Sequence, residues 1–447
     1  MDYILNLFLK QIFGQPFILM GIIVLIGYLA TGEKLSKSLV GAFKASIGIL
    51  ILGIGAGGLI SRFNTIINVT KIATKLQGAG LNTYPTMING YNKMDAILGS
   101  GTGATWGIYT LLLTFLLNII FVIFRKYTKI KSIFLTGNVM LVQAGISTYI
   151  VWRFLGLNMI PTIIIASIIT AIYQGVGSTL LIKPTNEVTG ADFTVAHQQM
   201  FISYLASKFS HLFGNPEKDN IENKKLPESL NVFQDNVIAT LIIMFISVGT
   251  LFIIMGNDGI QALREALNQK TLTNTFTFLT WISVILTADI YILLAGVRMF
   301  VGEIMVSFKG ISDKILPGAV AGVDCAAIFA FSPKAVLLGF LFGTIGQILG
   351  LGFLIIFSFP IFIIPGFIPL FFDNATIAIF ANKYGGYKAA IVFCLITGVL
   401  QIVGSAFIIE VMDMQWWQGS ADYVSIWWLI INIFKFIGSF LGLPIAG

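Results

Sequence analysis

The sequence predicts an all-α polytopic membrane protein, and three observations carry that prediction. Charged residues make up only 11% of the 447-residue chain, less than half of the roughly 25% found in soluble domains. Hydrophobic residues make up 56% of it, with mean hydropathy +0.90. The charges are also clustered, which leaves Gln11–Gly32, Ala45–Ser61, Ala96–Phe124, Ser132–Trp152, Phe154–Ile182 and Asn236–Asn257 without any. A hydrocarbon core of about 30 Å needs roughly 20 apolar residues in helix, and nearly every window is long enough. The interior of a large soluble protein would need polar helix faces, which these windows lack.

Taken in order, the spans fall near 16–31, 40–61, 105–124, 132–152, 158–182, 236–256, 276–298, 335–358, 387–410 and 424–446, about ten in all. The start, "MDYILNLFLKQIFGQPF", has neither a basic n-region nor a small-residue cleavage site. It is expected to be an amphipathic helix leading into the bundle. Two regions do not count as spans. Leu316–Pro333, "LPGAVAGVDCAAIFAFSP", opens on Pro and Gly, and the charge-free run 335–372 is broken by Pro360, Pro365 and Pro369. Broken backbone at membrane depth is tolerated where protein or a water-filled cavity satisfies it, so both are expected to be re-entrant hairpins. "PGAVAGVDCAAIFAF" at Pro317 and "PGFIPLFFDNATIAIF" at Pro365 resemble each other, which suggests an internal repeat with a substrate site at its interface.

The basic loop Arg125–Lys131 and Lys34 with Lys37 place those loops in the cytoplasm. The polar stretch Lys183–Asp235 then also falls inside. It is expected to be a connector with a docking surface, and His211 within it a solvated loop residue. Net charge +7 belongs to such loops. No basic stripe interleaved with aromatics points to nucleic acid. Cys325 and Cys394 stand in apolar context without metal or disulfide spacing. No cofactor, metal or catalytic constellation is indicated, and without a Walker motif the chain is not its own ATPase.

Five groups are candidates for function. Asp324 has nine uncharged residues on each side, and a carboxylate at that depth faces a bundle interior or substrate path, or caps a helix. Asp373 is expected chiefly as a cap. His197, Gln198 and Gln199 in "TGADFTVAHQQMFISY" supply donors and acceptors suited to a ligand with several hydroxyls. Gln143, with Asn138 before it, lies inside a span and serves as helix–helix glue or a ligand contact. Thr83 and Tyr84 in "LNTYPTMING" mark a broken segment.

Six ordered blocks resemble the ascorbate-specific membrane component, enzyme IIC, of the bacterial phosphotransferase system. They are "TGNVMLVQAG" (136–145), "KPTNEVTG" leading to "HQQMF" (183–201), "GVRMFVGE" (296–303), "LPGAVAGVDCAAIFAFSP" (316–333), "GTIGQ" (343–347) and "IIPGFIPLFFDNATIAIFANKYGG" (363–386). The resemblance runs nearly end to end. It implies a single IIC membrane domain over 1–447, with an N-terminal half about 1–205, a cytoplasmic connector about 206–235 and a C-terminal half about 236–447. About eleven spans with inverted repeats, a substrate-holding core domain and a second domain that makes a homodimer are implied. So is multi-pass residence in the bacterial inner membrane.

The implied function is alternating access: L-ascorbate is bound outside and presented for phosphorylation by a separate IIB protein, resupplied by IIA. Family binding residues fall on Thr83, Tyr84, Gln143, His197, Gln198 and Asp324 with the backbone after it at Cys325. His197 and Gln198 are expected to hold the anionic ring, and Asp324 to take hydroxyls. Two departures stand out: Val142 where the family has a second Gln, and extra length over Met94–Trp106. The rivals are a permease for another polyol or sugar acid, an ion-coupled secondary transporter, and a structural membrane protein. A phospho-cysteine role for Cys325 is disfavoured, because an intramembrane Cys is usually a small packing residue.

Overall fold

The computed structural model describes residues 16–74, 78–224, 236–314, 316–366 and 369–443. The helix expected at the very start lies outside the described residues. In chain order the longer elements are α1 (Pro16–Ala30), α2 (Leu35–Thr74), β1 (Gly78–Leu81), α3 (Thr83–Leu98), α4 (Thr102–Ile123), β2 (Ser132–Phe134), α5 (Gly137–Leu155), α6 (Met159–Leu180), α7 (Ile182–Thr189), β3 (Phe193–Val195) and α8 (Met200–Phe209). The second half continues with α9 (Asn236–Ala266), α10 (Thr275–Lys314), β4 (Val320–Val323), α11 (Pro333–Ile356), β5 (Phe362–Ile364), α12 (Asn374–Met412), β6 (Trp416–Trp417) and α13 (Ile426–Phe440).

Among the described residues seven helices are long and apolar enough to cross a membrane. Seven of the expected windows coincide with α2, α4, α6, α9, α10, α11 and α12. Windows 16–31 and 424–446 hold the shorter apolar helices Met20–Ala30 and Ile426–Phe440. Window 132–152 differs more. It begins as β2, turns, and becomes α5, which is buried along nearly its whole length. A helix wrapped by protein on all sides reads like one wrapped by lipid, because both remove water.

The helices form two packing groups. In the first, α1, α2, α9 and α10 lie chiefly against one another. Small residues allow the close approach of α2 and α10: a Cβ at Gly48 would lie 2.7 Å from the Phe300 nitrogen. Two acidic groups inside this group have partners. Arg62 meets Asp289, and the Tyr28 hydroxyl donates to Glu303 at 2.5 Å. The second group gathers the remaining helices around the strands. Here α11 presents Gly339, Gly343, Gly346 and Gly350 to α12, and a Cβ at Gly343 would lie 2.6 Å from the Asn374 side chain. Gly386 breaks α12 with φ 75°, a left-handed value that glycine adopts without a Cβ penalty.

Two parallel sheets sit within the second group, ordered β5–β1–β6 and β2–β4–β3. In the latter, Ser132 pairs with Val320 and Phe193 with Ala321. Each sheet takes its central strand from one half of the chain and both edge strands from the other. These strands satisfy the backbone where the helices break, as an interior segment must. The breaks expected at 316–333 and 360–372 are therefore present, as a strand followed by a 3₁₀ turn (Cys325–Phe331) and a strand followed by a π turn (Pro369–Asp373).

The likened stretches at Pro317 and Pro365 both lie in the second half, the first holding β4 and the second following β5. One sequence expectation is corrected here. Lys183–Asp235 is not a loop through 224, since it carries α7, β3 and α8, and its next residues pack on α12. Asn382 donates to Asn220 Oδ1 at 2.9 Å, and Lys388 pairs with Asp219 at 3.3 Å. His211 is exposed. The extra segment Met94–Trp106 is the α3–α4 turn, where Asp95 accepts from the Gly101 and Gly103 N–H groups at 2.8 and 2.7 Å.

Candidate functional site

Polar segments follow the carboxyl ends of the strands, the side on which parallel sheets offer ligand sites. Asn82 and Thr83 follow β1, Thr136 follows β2, His197–Gln199 follow β3, Asp324 follows β4 and Gln418–Asp422 follow β6. The two sets of strand ends meet. Ser420 Oγ donates to Gln198 Oε1 at 3.1 Å, and the Asp422 N–H donates to the Gln198 carbonyl at 3.2 Å. Gln199 Nε2 reaches the Phe372 carbonyl at 3.3 Å and Thr376 Oγ1 at 2.8 Å. The His197 ring stacks on Phe372 with centroids 6.1 Å apart.

The strand register fixes this cluster. The Ala196 N–H continues the ladder to the Val323 carbonyl at 2.8 Å, and Thr136 Oγ1 donates to the Ala196 carbonyl at 2.7 Å. His197 and Asp324 therefore leave neighbouring strands at the same level. A ring nitrogen of His197, a carboxylate oxygen of Asp324 and Cys325 Sγ lie within 4.8 Å of one another. Three such groups could hold a metal by spacing. However, Asp324 Oδ1 already accepts from the Ala326 N–H at 2.9 Å and His197 Nδ1 is already bonded to Gln199 Oε1 at 2.7 Å, so the trio fits a hydrogen-bonding cluster better. Burial holds the His197 imidazole below its ordinary pKa, against the opposing pull of the Asp324 charge.

The sequence-named residues divide. His197, Gln198, Asp324 and Cys325 come together, with Asp324 partly exposed and the other three buried. Gln143 joins them from behind: its Nε2 donates to the His197 carbonyl at 3.3 Å, and its Oε1 accepts from Gln174 at 2.8 Å. Thr83 is buried at the start of α3, beside the tip of β6, where the Asn82 N–H meets the Trp417 carbonyl at 2.8 Å. Among the described residues it makes no hydrogen bond to the histidine cluster. The side chain of Tyr84 lies outside the described residues. Val142 is buried.

Asp373 is not the helix cap the sequence suggests. It makes no capping bond, and instead accepts from the Ala421 N–H at 2.6 Å and from Gln401 at 3.3 Å. The sequence reading also missed Gln174, Thr376, Ser420 and Asp422. Gln174 was findable, because an amide in a charge-free span raises the same question as Gln143. Asp422 gave no signal, since "GSADY" reads as a connecting loop.

The family described as "PTS system sugar-specific permease component" matches residues 11–431. The "Ascorbate-specific PTS system EIIC component" of Mycoplasma pneumoniae is 34% identical over 92% of this chain and 67% of that protein. With seven helices of spanning length and a family match over most of its residues, the chain is a multi-pass protein of the bacterial inner membrane and belongs to the sugar-specific permease components of the phosphotransferase system.

Proposed function

We propose that this permease binds L-ascorbate where the two sets of strand ends meet and carries it inward by alternating access. A separate IIB protein, recharged by IIA, then phosphorylates it; the chain itself transfers no phosphoryl group. The observation that carries the reading is the cluster of buried His197 and Gln198 with partly exposed Asp324, which keeps hydrogen-bonding capacity unspent. Gln198 has its oxygen on Ser420 and its NH₂ group left to donate. Asp324 has one oxygen committed to Ala326 and one spare. A planar sugar acid with side-chain hydroxyls matches such a mixed set.

The same reading takes 1–447 as one membrane domain with halves near 1–205 and 236–447, related as inverted repeats and completed to about eleven spans by the shorter apolar helices. The reciprocal sharing of strands between the halves supports the repeat. The group of α1, α2, α9 and α10 is the homodimer-forming domain of this reading, and the strand-bearing group the substrate-holding core. The 206–224 segment faces the cytoplasm.

Calorimetry on the purified protein tests the substrate, with galactitol and xylitol as controls. Saturable binding of L-ascorbate alone, lost in His197→Ala, is expected. Absence of ascorbate binding in a well-folded dimer sinks the reading. Binding of a control polyol instead favours the second reading, a permease for another polyol or sugar acid. Val142 supports that alternative, because it puts an apolar side chain beside Gln143 where a second amide would add a hydrogen bond.

A further inference from the structure

We propose that Gln199 is a positioning residue. It holds His197 in the tautomer with the proton on Nδ1, so that Nε2 meets the substrate as a hydrogen-bond acceptor. This rests on the substrate-site reading above. Two backbone groups of fixed chemistry orient the Gln199 amide. The Gln198 N–H can only donate, and it lies 2.8 Å from the oxygen end. The Phe372 carbonyl can only accept, and it lies 3.3 Å from the nitrogen end. Thr376 agrees: its hydroxyl gives its proton to the Phe372 carbonyl at 2.6 Å and so accepts from Gln199 Nε2 at 2.8 Å.

The oxygen end of that amide is also 2.7 Å from His197 Nδ1. An amide oxygen has no proton to give, so Nδ1 must carry one, and a neutral imidazole has only one N–H. Nε2 is left with its lone pair and has no hydrogen-bond partner among the described residues. Burial favours the neutral ring.

The groups around the ring keep this polarity. Asp324 and Cys325 face it from the turn after β4. On the neighbouring turns, Asp373 bonds to Ala421 and Gln401, and Asp422 to Tyr173, Phe201 and Ile202. His197 Nε2 and Asp324 therefore form an acceptor pole, which takes substrate hydroxyls. The anionic edge of a sugar acid goes instead to donors such as the Gln198 NH₂ group. This reverses the sequence expectation that His197 holds the anionic ring. Protonating the ring would pair it with Asp324 and remove both acceptors at once.

The chain has two histidines, and His211 is exposed, so His211→Gln leaves a single ring to observe. Histidine ¹⁵N spectra of the purified protein should show Nδ1 protonated and Nε2 bare. Gln199→Ala should lose that preference, and Gln199→Glu, which keeps an oxygen toward Nδ1, should retain it. Calorimetric affinity for L-ascorbate between about pH 5.5 and about pH 8 should rise as the ring loses its charge, by about tenfold. A proton on Nε2 in the unaltered protein, or an affinity that falls as the ring is neutralised, overturns the proposal. If Gln199→Ala does not fold, the unaltered spectrum and Gln199→Glu decide. Failure of the unaltered protein to bind ascorbate at any pH sinks the substrate reading alone, since the ring spectrum tests the tautomer without ligand.

Discussion

Asp422 and Asp324 both stand in turns after a short strand, and they are used differently. Asp422 is fully buried and accepts three hydrogen bonds, from the Tyr173 hydroxyl at 2.8 Å and from the Phe201 and Ile202 N–H groups at 3.1 Å each. Asp324 is partly exposed and accepts one, from the Ala326 N–H at 2.9 Å. A carboxylate offers roughly four lone-pair sites. Asp422 spends most of its capacity tying the end of the second half to α6 and α8, whereas Asp324 keeps most of its own. The two acids differ in depth, and they differ further in unspent acceptor capacity, which is small at Asp422 and large at Asp324.

Substitutions can break this contrast, and the largest effect belongs to Asp422→Ala. It strands three donors at once, the buried Tyr173 hydroxyl and the part-buried Phe201 and Ile202 N–H groups, and a buried donor left without its partner costs about 1–3 kcal/mol. The expected outcome is a marked loss of folded protein, or of thermal midpoint, by fluorescence-detected size exclusion. A normal midpoint would remove the structural role. Next comes Asp324→Asn, expected to fold normally but bind L-ascorbate about 1.5–3 kcal/mol more weakly. If calorimetry finds the affinity unchanged, Asp324 is only a cap.

Asp373→Asn should lie between the two in kind and below both in size. One oxygen still accepts from Ala421 and Gln401, and the amide replaces an oxygen that is buried without a partner. Its effect on the thermal midpoint should correspond to less than about 1 kcal/mol; a loss as large as that of Asp422→Ala would make it a second structural tie. The smallest effect is expected at the exposed Lys93–Asp413 pair, 2.5 Å apart. The bond from Lys93 holds the Asp413 carboxyl below its ordinary pKa. Its stabilisation is therefore present above the unfolded value of about 3.9 and is lost as pH falls through the lower folded value. It should amount to about 0.2–1 kcal/mol and fade with salt. A midpoint difference between the protein and Lys93→Ala that persists in acid would contradict this.

Local chemistry was legible in the sequence, and distant contact was not. Asp324 and the His197–Gln199 run stood out because polar groups in an oily background need a reason. The spans at α2, α4, α6, α9, α10, α11 and α12 were legible from the absence of charge. The strands were not. Runs of three or four residues such as Phe193–Val195 carry too few alternations to establish a period of two. Asp422 escaped because its three partners lie more than two hundred positions earlier, and no spacing rule reaches that far.

The exchange of central strands between halves also constrains the order of assembly. During synthesis β2 and β3 are made early, but the strand that joins them, β4, lies well into the second half. β1 waits longer still, until Trp416 and Trp417 emerge near the end of the chain. Neither sheet can close while only the first half exists, and such late pairing across long separations is intrinsically slow. In the interval, short strands with unpaired backbone stand among inserted helices and are open to mispairing with other nascent chains. A chain that ends before β6 lacks α13 and leaves the Gln198–Ser420 contact unmade, so the junction of the two sets of strand ends is among the last parts of the protein to exist.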